Sequence, residues 1–185
     1  VLSPCDFVTA SAMAVRATSA AGIRYLRLDG KALPPIYPER RAIDLERGFA
    51  ELRLGEGVCL VSTGYMTHRA LDVAAALAKE RHAVGVVDVF SLSNPDKGKL
   101  VRTLRKYRAV LSIEEGFIGR GGLDSLILNT VNDAGLGCRF EAAGLRHEYR
   151  FDPAPRDELL RQHGLDTGSL VRRAKKCLRA ASVRS

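Results

Sequence analysis

The sequence is poor in aromatic residues and has no tryptophan, and phenylalanine and tyrosine together make up 6% of its 185 residues. So few rings offer little material for a base-stacking surface, and we expect no nucleic-acid partner. No apolar run reaches the roughly 18 residues that a membrane-spanning helix needs, so we expect no membrane association. The four cysteines stand far apart without a C-x-x-C pair, which argues against a zinc site.

Motifs that carry a known catalytic mechanism are also missing. The sequence has no H-E-x-x-H pair, no serine nucleophile elbow and no Walker loop, and its four histidines are scattered. We therefore assign no catalytic residue and no metal ligand to this chain. No signal peptide is recognised, which predicts a reducing compartment and hence a cytoplasmic location.

The positive charge is concentrated near the end of the chain. The net charge is +8, and six lysines and arginines lie after Asp166 in a stretch without an acid, which leaves +2 for residues 1–166. A basic excess of this kind also occurs in nucleic-acid binders. Because the excess lies on one predicted helix, we interpret it as a solvated helix face and keep nucleic-acid binding as a third hypothesis.

Short apolar runs alternate with helical patterns over most of the sequence. The runs cover residues 58–62, 84–90, 109–113 and 138–143, and the helical patterns cover 68–81, 96–107, 122–134, 156–163 and 169–181. Apolar strands that alternate with helices are typical of parallel sheets with both faces covered. The sequence therefore predicts an α/β fold with a doubly wound, mostly parallel sheet.

The first 43 residues follow a different pattern. We predict a helix over residues 1–22 with Ser3 as its cap, a strand over Ile23–Leu28, and a proline-rich linker. A lone helix and strand cannot form a stable domain. We therefore interpret this stretch as the end of another domain, and the chain as the C-terminal section of something longer.

Three segments follow predicted strands, where ligands and interfaces gather in open parallel sheets, and the last of them, "VDVFSLSNPDK", contains Asp88 and a turn into a helix at Ser93-Asn94-Pro95. In the first, Thr63 and Gly64 end a strand and Thr67 is a possible helix cap. The free N–H groups of a helix start can bind an anion. We favour a capped turn here and keep anion binding as the alternative.

The second segment joins two acids to a glycine-rich turn. Glu114 and Glu115 end a strand, and Gly119, Arg120, Gly121 and Gly122 open the next helix. This spacing is not the dinucleotide fingerprint. The acids could do acid/base chemistry, cap helix N–H groups or pair with Arg120. We favour a structural or interface role.

The order of these motifs resembles the C-terminal part of the transketolase family of thiamine diphosphate enzymes. "SPCDFVTASAMAVRATSAAGIRYLRL" is similar to the closing helix and strand of the pyrimidine-binding domain of that family. "GFAELRLGEGVCLVSTGYMTHRALDVAAAL", "VVDVFSLSNPD" and "SIEEGFIGRGGLDSLI" resemble successive strand-turn units of its C-terminal domain. "DELLRQHGLDTGSLV" is similar to its closing helix pair. Five pieces in order are a more specific signal than any single piece.

The resemblance implies a function for the complete enzyme. Thiamine diphosphate held with Mg²⁺ would transfer a two-carbon ketol unit, and the cofactor would supply that chemistry. The catalytic glutamate and the diphosphate-binding motif of the family have no counterpart in these residues. We therefore expect this chain to be non-catalytic alone, to hold no cofactor alone, and to support a homodimer or a partner subunit that carries the thiamine-binding domains. The implied division is 1–32 as the end of the pyrimidine-binding domain, 33–43 as linker and 44–185 as the C-terminal domain.

The resemblance also points to a substrate site in the sequence "RLDGK". Sugar-phosphate users of the family carry an R-x-x-R-like stretch whose second arginine binds the substrate phosphate. Here Arg27 is kept, Gly30 stands where that arginine would be, and Lys31 follows. Lysine binds phosphate as a point charge without the bidentate fork of arginine. We assign Arg27 and Lys31 as candidate substrate-binding residues, and either Lys31 replaces the arginine or the substrate is not an ordinary sugar phosphate.

The alternative function is a free-standing α/β module. Such a module would bind a nucleotide or another anion at the Thr63–Thr67 and Gly119–Gly122 turns. Nucleotide binding that is lost in Gly121→Asp would favour it over the enzyme segment.

Overall fold

The computed structural model describes residues 1–19, 21–38, 43–148 and 153–182. We call residues 1–19 and 21–38 the N-terminal segment. The helices are α1 (Phe7–Ser19), α2 (Met66–Lys79), α3 (Lys97–Leu104), α4 (Leu123–Asp133), α5 (Arg156–Gln162) and α6 (Thr167–Ser182). The strands are β1 (Phe49–Arg53), β2 (Val58–Ser62), β3 (Gly85–Val89), β4 (Ala109–Phe117) and β5 (Arg139–Leu145).

The five strands form one sheet in the order β1-β3-β2-β4-β5. Strand β2 pairs in parallel with β3 and with β4, and β4 pairs in parallel with β5. Only the edge strand β1 is antiparallel, against β3. After the edge strand β1, the chain enters the centre of the sheet at β2, adds β3 on one side, and then adds β4 and β5 on the other side. The predicted doubly wound, mostly parallel α/β fold is confirmed.

Helices cover both faces of the sheet because its central strands are apolar on both sides. In β2, Val58 and Leu60 pack with residues of α2 and α6, whereas Cys59 and Val61 pack with residues of α3 and α4. All five residues of β2 are buried, as are all five of β3. Each fully buried aliphatic side chain contributes about 1.5–3 kcal/mol, so this two-sided burial stabilises the domain.

Two sequence predictions about secondary structure are wrong, and one strand was not predicted at all. Residues Ile23–Leu28 form no strand, because no extended neighbour pairs with them beyond an isolated bridge between Leu2 and Leu26. The antiparallel strand β1 was not predicted, since its Glu51 and Arg53 interrupt the apolar run. The helical pattern of residues 68–81 predicts one stripe of Leu71, Ala74, Ala75 and Ala78. In α2, however, Ala75 and Ala78 face solvent, because the buried stripe runs through residues such as Val73 and Leu77.

Helix α1 also differs from its prediction. It begins at Phe7, and its cap is Asp6 rather than Ser3, since Asp6 Oδ1 accepts the backbone N–H of Thr9 at 2.8 Å. The helical pattern predicts a common face of Phe7, Ala10, Ser11 and Ala14. All of these except the partly buried Ala10 are exposed, whereas Thr9 and Met13 are buried. The face of α1 that the sequence predicts to be packed therefore points away from this chain.

No helix in the described ranges has both the length and the hydropathy needed to cross a bilayer.

Candidate functional site

A cleft of about 440 Å³ lies at the carboxyl ends of β2 and β4, where the N-terminal segment crosses the sheet. We call it the carboxyl-end cleft. Its lining includes five of the predicted site residues, which are Arg27, Lys31, Thr63, Gly64 and Glu115, together with Asp29, Tyr65 and Arg156. The fold thus brings the candidate substrate residues and the first strand-end turn to one place. Glu114 and the glycine turn at 119–122 do not line it.

Arg156 is the central charged group of the cleft. Its Nη1 lies 2.7 Å from Asp29 Oδ2, its Nε donates to Glu115 Oε1 at 2.9 Å, and its Nη2 contacts Glu115 Oε2. The guanidinium also lies over the Tyr65 ring, 3.7 Å from the ring centre. Burial alone would lower the pKa of Arg156, but Glu115 and Asp29 outweigh it and raise that pKa. Arg156 therefore ties the N-terminal segment to the end of β4.

Sequence reasoning missed Arg156, and the cation that it considered as a possible partner of the acids was Arg120. Arg120 is exposed, and Glu115 binds Arg156 instead. The sequence does contain a signal for Arg156. It is the first residue of α5, where the helix dipole disfavours a cation, and a cation in that position indicates a nearby acidic partner. Its partner Asp29 is remote in sequence, so only the fold reveals the pairing.

The two candidate substrate residues differ in how they are held. Arg27 Nη2 donates to the backbone oxygen of Glu115 at 2.7 Å, which fixes its guanidinium against β4. The backbone N–H of Lys31 donates to Asp29 Oδ1 at 2.9 Å, whereas its ammonium group makes no ion pair within the described residues. A Cβ at Gly30 would meet no atom within 4 Å, so this position has room for a side chain. Lys31 thus presents a positive charge that an anionic ligand can reach.

The turn after β2 packs directly against the N-terminal segment. Gly64 has φ +55°, and a Cβ there would lie 2.9 Å from Ser3 Oγ. The neighbouring Thr63 is buried, and its hydroxyl has no hydrogen-bond partner within the described chain. The prediction that Thr67 caps α2 is wrong, because its hydroxyl donates to Asp88 Oδ1 at 2.9 Å. Glycine at position 64 is thus required for the close approach of the two parts.

The second strand-end segment is occupied by the chain's own acids. Glu114 accepts the backbone N–H groups of Leu123 at 3.0 Å and Asp124 at 2.8 Å, so it caps α4, which was one of the predicted alternatives. Burial raises the pKa of Glu114. A Cβ at Gly122 would lie 2.4 Å from Glu114 Oε2, so this glycine allows the cap.

Two N–H groups of the glycine turn itself are engaged as well. Gly119 donates to Asp124 Oδ2 at 2.6 Å, and Gly121 donates to Ser125 Oγ at 3.2 Å. A carboxylate already occupies the position that an anion would take, which argues against anion binding here. An interface role for Gly119, Arg120, Gly121 and Gly122 stays a prediction.

A buried polar network fixes the N-terminal segment next to the cleft. Asp88, at the end of β3, accepts hydrogen bonds at 2.9 Å from the hydroxyl of Tyr37 and from that of Thr67. Asp6 Oδ2 accepts the backbone N–H groups of Ile36 at 2.8 Å and Tyr37 at 2.9 Å. The network thus joins α1, the proline-rich stretch, α2 and β3 through side chains that are buried.

The two acids of this network have opposite pKa shifts. Burial raises the pKa of Asp88 to about 6, although hydrogen bonds from Tyr37, Thr67 and Cys5 work in the other direction. Burial also acts to raise the pKa of Asp6, but backbone and hydroxyl donors from Tyr37, Thr9 and Ile36 outweigh it and lower that pKa. Asp6 is therefore a stable anion, whereas Asp88 titrates near neutrality.

The carboxylates of the cleft do not fit a magnesium site. Asp29 and Glu115 both flank the Arg156 guanidinium, so their oxygens are engaged by a cation already. No group of three or more histidines, cysteines and acids in the described ranges is arranged to hold a metal. We derive no step through thiamine diphosphate and Mg²⁺ in this chain.

Comparison with known proteins gives one family match. Residues 49–170 match the family described as "Transketolase, C-terminal domain". The chain is similar to a subunit of the apulose-4-phosphate transketolase of Actinobacillus succinogenes, with 29% identity over 80% of this chain and 47% of that protein. It is also similar to the 1-deoxy-D-xylulose-5-phosphate synthase of Clostridium kluyveri, with 30% identity over 76% of this chain and 22% of that protein.

A solved structure has the same fold over nearly the whole chain. It is described as a split-gene transketolase in the form of an inactive beta4 tetramer, and it matches with a TM-score of 0.86 and 28% identity. The match covers 96% of this chain and 57% of that one. This chain therefore spans about half the length of the transketolase relatives that it matches, and less than a quarter of the synthase.

Proposed function

This chain belongs to the transketolase C-terminal domain family, and from that membership we propose that it forms the C-terminal portion of a transketolase-like enzyme. The complete enzyme would use thiamine diphosphate and Mg²⁺ to transfer two-carbon ketol units. The C-terminal portion would not catalyse alone. It would dock onto the thiamine-binding domains, carried by a partner subunit or by a second copy in a homodimer, and would complete one side of the substrate site.

The observation that carries this proposal is the contrast between the two sides of the N-terminal segment. Its inner side is held by the buried Asp6 and Asp88 network. Large apolar side chains on the segment face solvent, including Ile23 at 103% exposure, Val15 at 69% and Leu28 at 62%. Phe7 and Leu28 line one groove of about 180 Å³ beside the cleft. Apolar exposure of this kind marks an interaction surface.

The descriptions of two relatives support the proposal that this portion works as part of an assembly. One relative is named as a subunit of a transketolase, and the structural neighbour is described as an inactive tetramer. Within our proposal, residues 1–32 end the pyrimidine-binding domain, 33–43 form the linker and 44–185 form the C-terminal domain. The exposed apolar residues of the segment would then pack against the remainder of that pyrimidine-binding domain.

The carboxyl-end cleft is the part of this chain that would contact the substrate. We propose that Lys31 binds an anionic group of the substrate, since its exposed side chain lines the cleft and there is open space beside it at Gly30. Arg27 would support it through its bond to Glu115. The open space at Gly30 favours a substrate bulkier than the arginine-bound phosphate of ordinary sugar-phosphate users, or one without that phosphate.

Complex formation with the thiamine-binding subunit tests this proposal. Ile23→Asp places a charge on the exposed apolar surface of the segment, so we expect it to weaken the complex by about tenfold or more in analytical ultracentrifugation. Leu54→Asp is the matched control, because Leu54 is 75% exposed in the turn between β1 and β2, away from the segment. Equal behaviour of both variants would contradict a docking role for the segment.

A further inference from the structure

A second cleft lies at the opposite end of the sheet from the carboxyl-end cleft. Its volume is about 470 Å³, and we call it the amino-end cleft. Arg108 stands directly before β4 and Arg139 is the first residue of β5, so both line it where these parallel strands begin. Arg105, at the end of α3, lines it as well. The amino-end cleft is therefore built by elements other than the N-terminal segment.

The backbone brings these arginines together. The N–H of Arg139 donates to the backbone oxygen of Arg108 at 2.9 Å, so the two residues are neighbours across the β4–β5 ladder. Arg105 precedes Arg108 by one tight turn, in which the N–H of Tyr107 donates to the oxygen of Leu104 at 3.0 Å. Three positive side chains are thus placed close together by the fold itself.

None of these three guanidinium groups forms an ion pair within the part of the chain that the structure describes, and no acid among the described residues lines the cleft. Nearby cations behave differently, since Lys106 pairs with Glu51 at 3.1 Å and Arg173 pairs with Glu141 at 2.8 Å. The helix dipole accounts for Arg105, which ends α3. It does not account for Arg108, directly before β4, or for Arg139, the first residue of β5, since strands have small net dipoles.

The remaining lining of the amino-end cleft is mostly apolar. It comprises the buried Tyr107 together with Leu136, Gly137, Cys138 and Ala180. The volume falls in the range of about 300–1,000 Å³ that small-molecule sites occupy. An exposed aromatic platform for successive bases is missing from this lining, because Tyr107 is only 4% exposed. The shape thus favours a small molecule over a nucleic-acid strand.

We propose that the amino-end cleft binds a small phosphorylated molecule, with at least two phosphate groups on Arg105, Arg108 and Arg139 and an apolar body against Leu136, Cys138 and Ala180. Guanidinium groups suit phosphates because their fork donates two parallel hydrogen bonds. The ligand relieves the repulsion between neighbouring like charges. This site is independent of the proposed ketol transfer, so either can fail without the other.

Cys138 reports binding at the cleft. The other three cysteines are fully buried, whereas Cys138 is half-buried in the lining. The experiment measures the rate of maleimide labelling at Cys138 by peptide mass spectrometry, with the full chain and with ATP or inorganic pyrophosphate as probes. We expect ATP to slow the labelling, with affinity at least about tenfold weaker in Arg108→Gln and Arg139→Gln. Circular dichroism verifies that each variant is folded.

Arg53→Gln is the matched control, because Arg53 is an exposed arginine on the distant edge strand β1 and makes no ion pair in the described structure. We expect this variant to bind ATP like the wild type. Protection by ATP alone or by both probes supports the proposal. The proposal is overturned if ATP does not protect Cys138 from maleimide. It is also overturned if Arg53→Gln weakens the affinity for ATP as much as Arg108→Gln and Arg139→Gln do. An oligonucleotide that displaces ATP at equal phosphate concentration also overturns it, in favour of nucleic-acid binding.

Discussion

The α/β domain and the N-terminal segment are stabilised by different interactions. In the domain, helices cover both faces of the sheet, and β2 and β3 are buried along their whole length. The segment buries fewer apolar side chains, among them Cys5 and Met13, and it is also attached by hydrogen bonds to Asp6 and Asp88 and by the ion pair between Asp29 and Arg156. Large apolar side chains of the segment, such as Ile23 and Val15, are exposed.

The difference shows where exposed apolar surface is concentrated. In the domain, the apolar residues of the central strands are buried on both faces of the sheet, and only a few large apolar side chains, such as Leu54 and Phe117, are exposed in the described residues. The segment is held on one side and carries exposed apolar side chains on the other, and a surface of this kind favours contact with another surface. The carboxyl-end cleft lies where the two meet, so docking of the segment determines the geometry of Lys31 and Arg27.

Truncation of core side chains should have the largest effect. Ile127→Ala removes a fully buried side chain from α4, and we expect a loss of about 2–5 kcal/mol in the free energy of unfolding. Val15→Ala in the segment should change it by less than about 0.5 kcal/mol in the chain alone, because Val15 is exposed. Urea titration followed by circular dichroism measures both. Similar losses would mean that the segment is packed in solution.

The next effect concerns the charge that the segment brings to the cleft. In the assembled enzyme, we expect Lys31→Ala to raise the KM for the anionic substrate about tenfold, since it removes a charged hydrogen-bond donor. The control is Lys97→Ala, an exposed lysine at the start of α3. An unchanged KM in the Lys31 variant would remove this residue from the substrate site.

A smaller effect is expected from the pH dependence of the buried network. Burial raises the pKa of Asp88 from its ordinary value of 3.8 to about 6 in the folded chain. The folded state therefore binds the proton more tightly than the unfolded state does. The resulting stability is fully present below pH 3.8 and is lost as the pH rises through about 6. Between about pH 5 and pH 8 the wild type should lose about 1 kcal/mol relative to Asp88→Asn. If the free energy of unfolding depended on pH in the same way for both proteins across this range, the assignment would be contradicted.

The smallest effect should come from filling the space at Gly30. Gly30→Arg adds a side chain where a Cβ meets no atom within 4 Å, so we expect no loss of stability. The added guanidinium can bind a phosphate through two hydrogen bonds, and we expect KM for a sugar phosphate to fall by about threefold. Gly30→Gln controls for bulk without charge. A higher KM in the arginine variant would show that the position is needed for another substrate group.

The sequence predicted the part of the fold whose signal is local. Apolar runs such as Val58–Ser62 are buried on both faces, so composition alone identifies them as central strands. The edge strand β1 was missed because its Glu51 takes part in ion pairs with Arg47 and Lys106. The helix α1 was found at about the right place in the sequence, but its start, its cap and its buried face were predicted wrongly, since Phe7 is exposed whereas Thr9 and Met13 are buried.

The candidate site was predicted only in part, because only some of its residues are marked by local sequence signals. Strand ends can be located from the sequence, and Thr63, Gly64 and Glu115 do line the cleft. The pairing of Arg156 with Asp29 and Glu115 joins three distant stretches, and no spacing rule reveals it. The amino-end cleft is similar, because Arg108 and Arg139 become neighbours only through the register of β4 and β5.

Ketol transfer measured with and without the thiamine-binding subunit tests the central claim most directly. We expect the chain alone to show no turnover, and the mixture to transfer ketol units only when thiamine diphosphate and Mg²⁺ are added. Turnover of a ketose by the isolated chain, or tight retention of the coenzyme by it, would contradict the account.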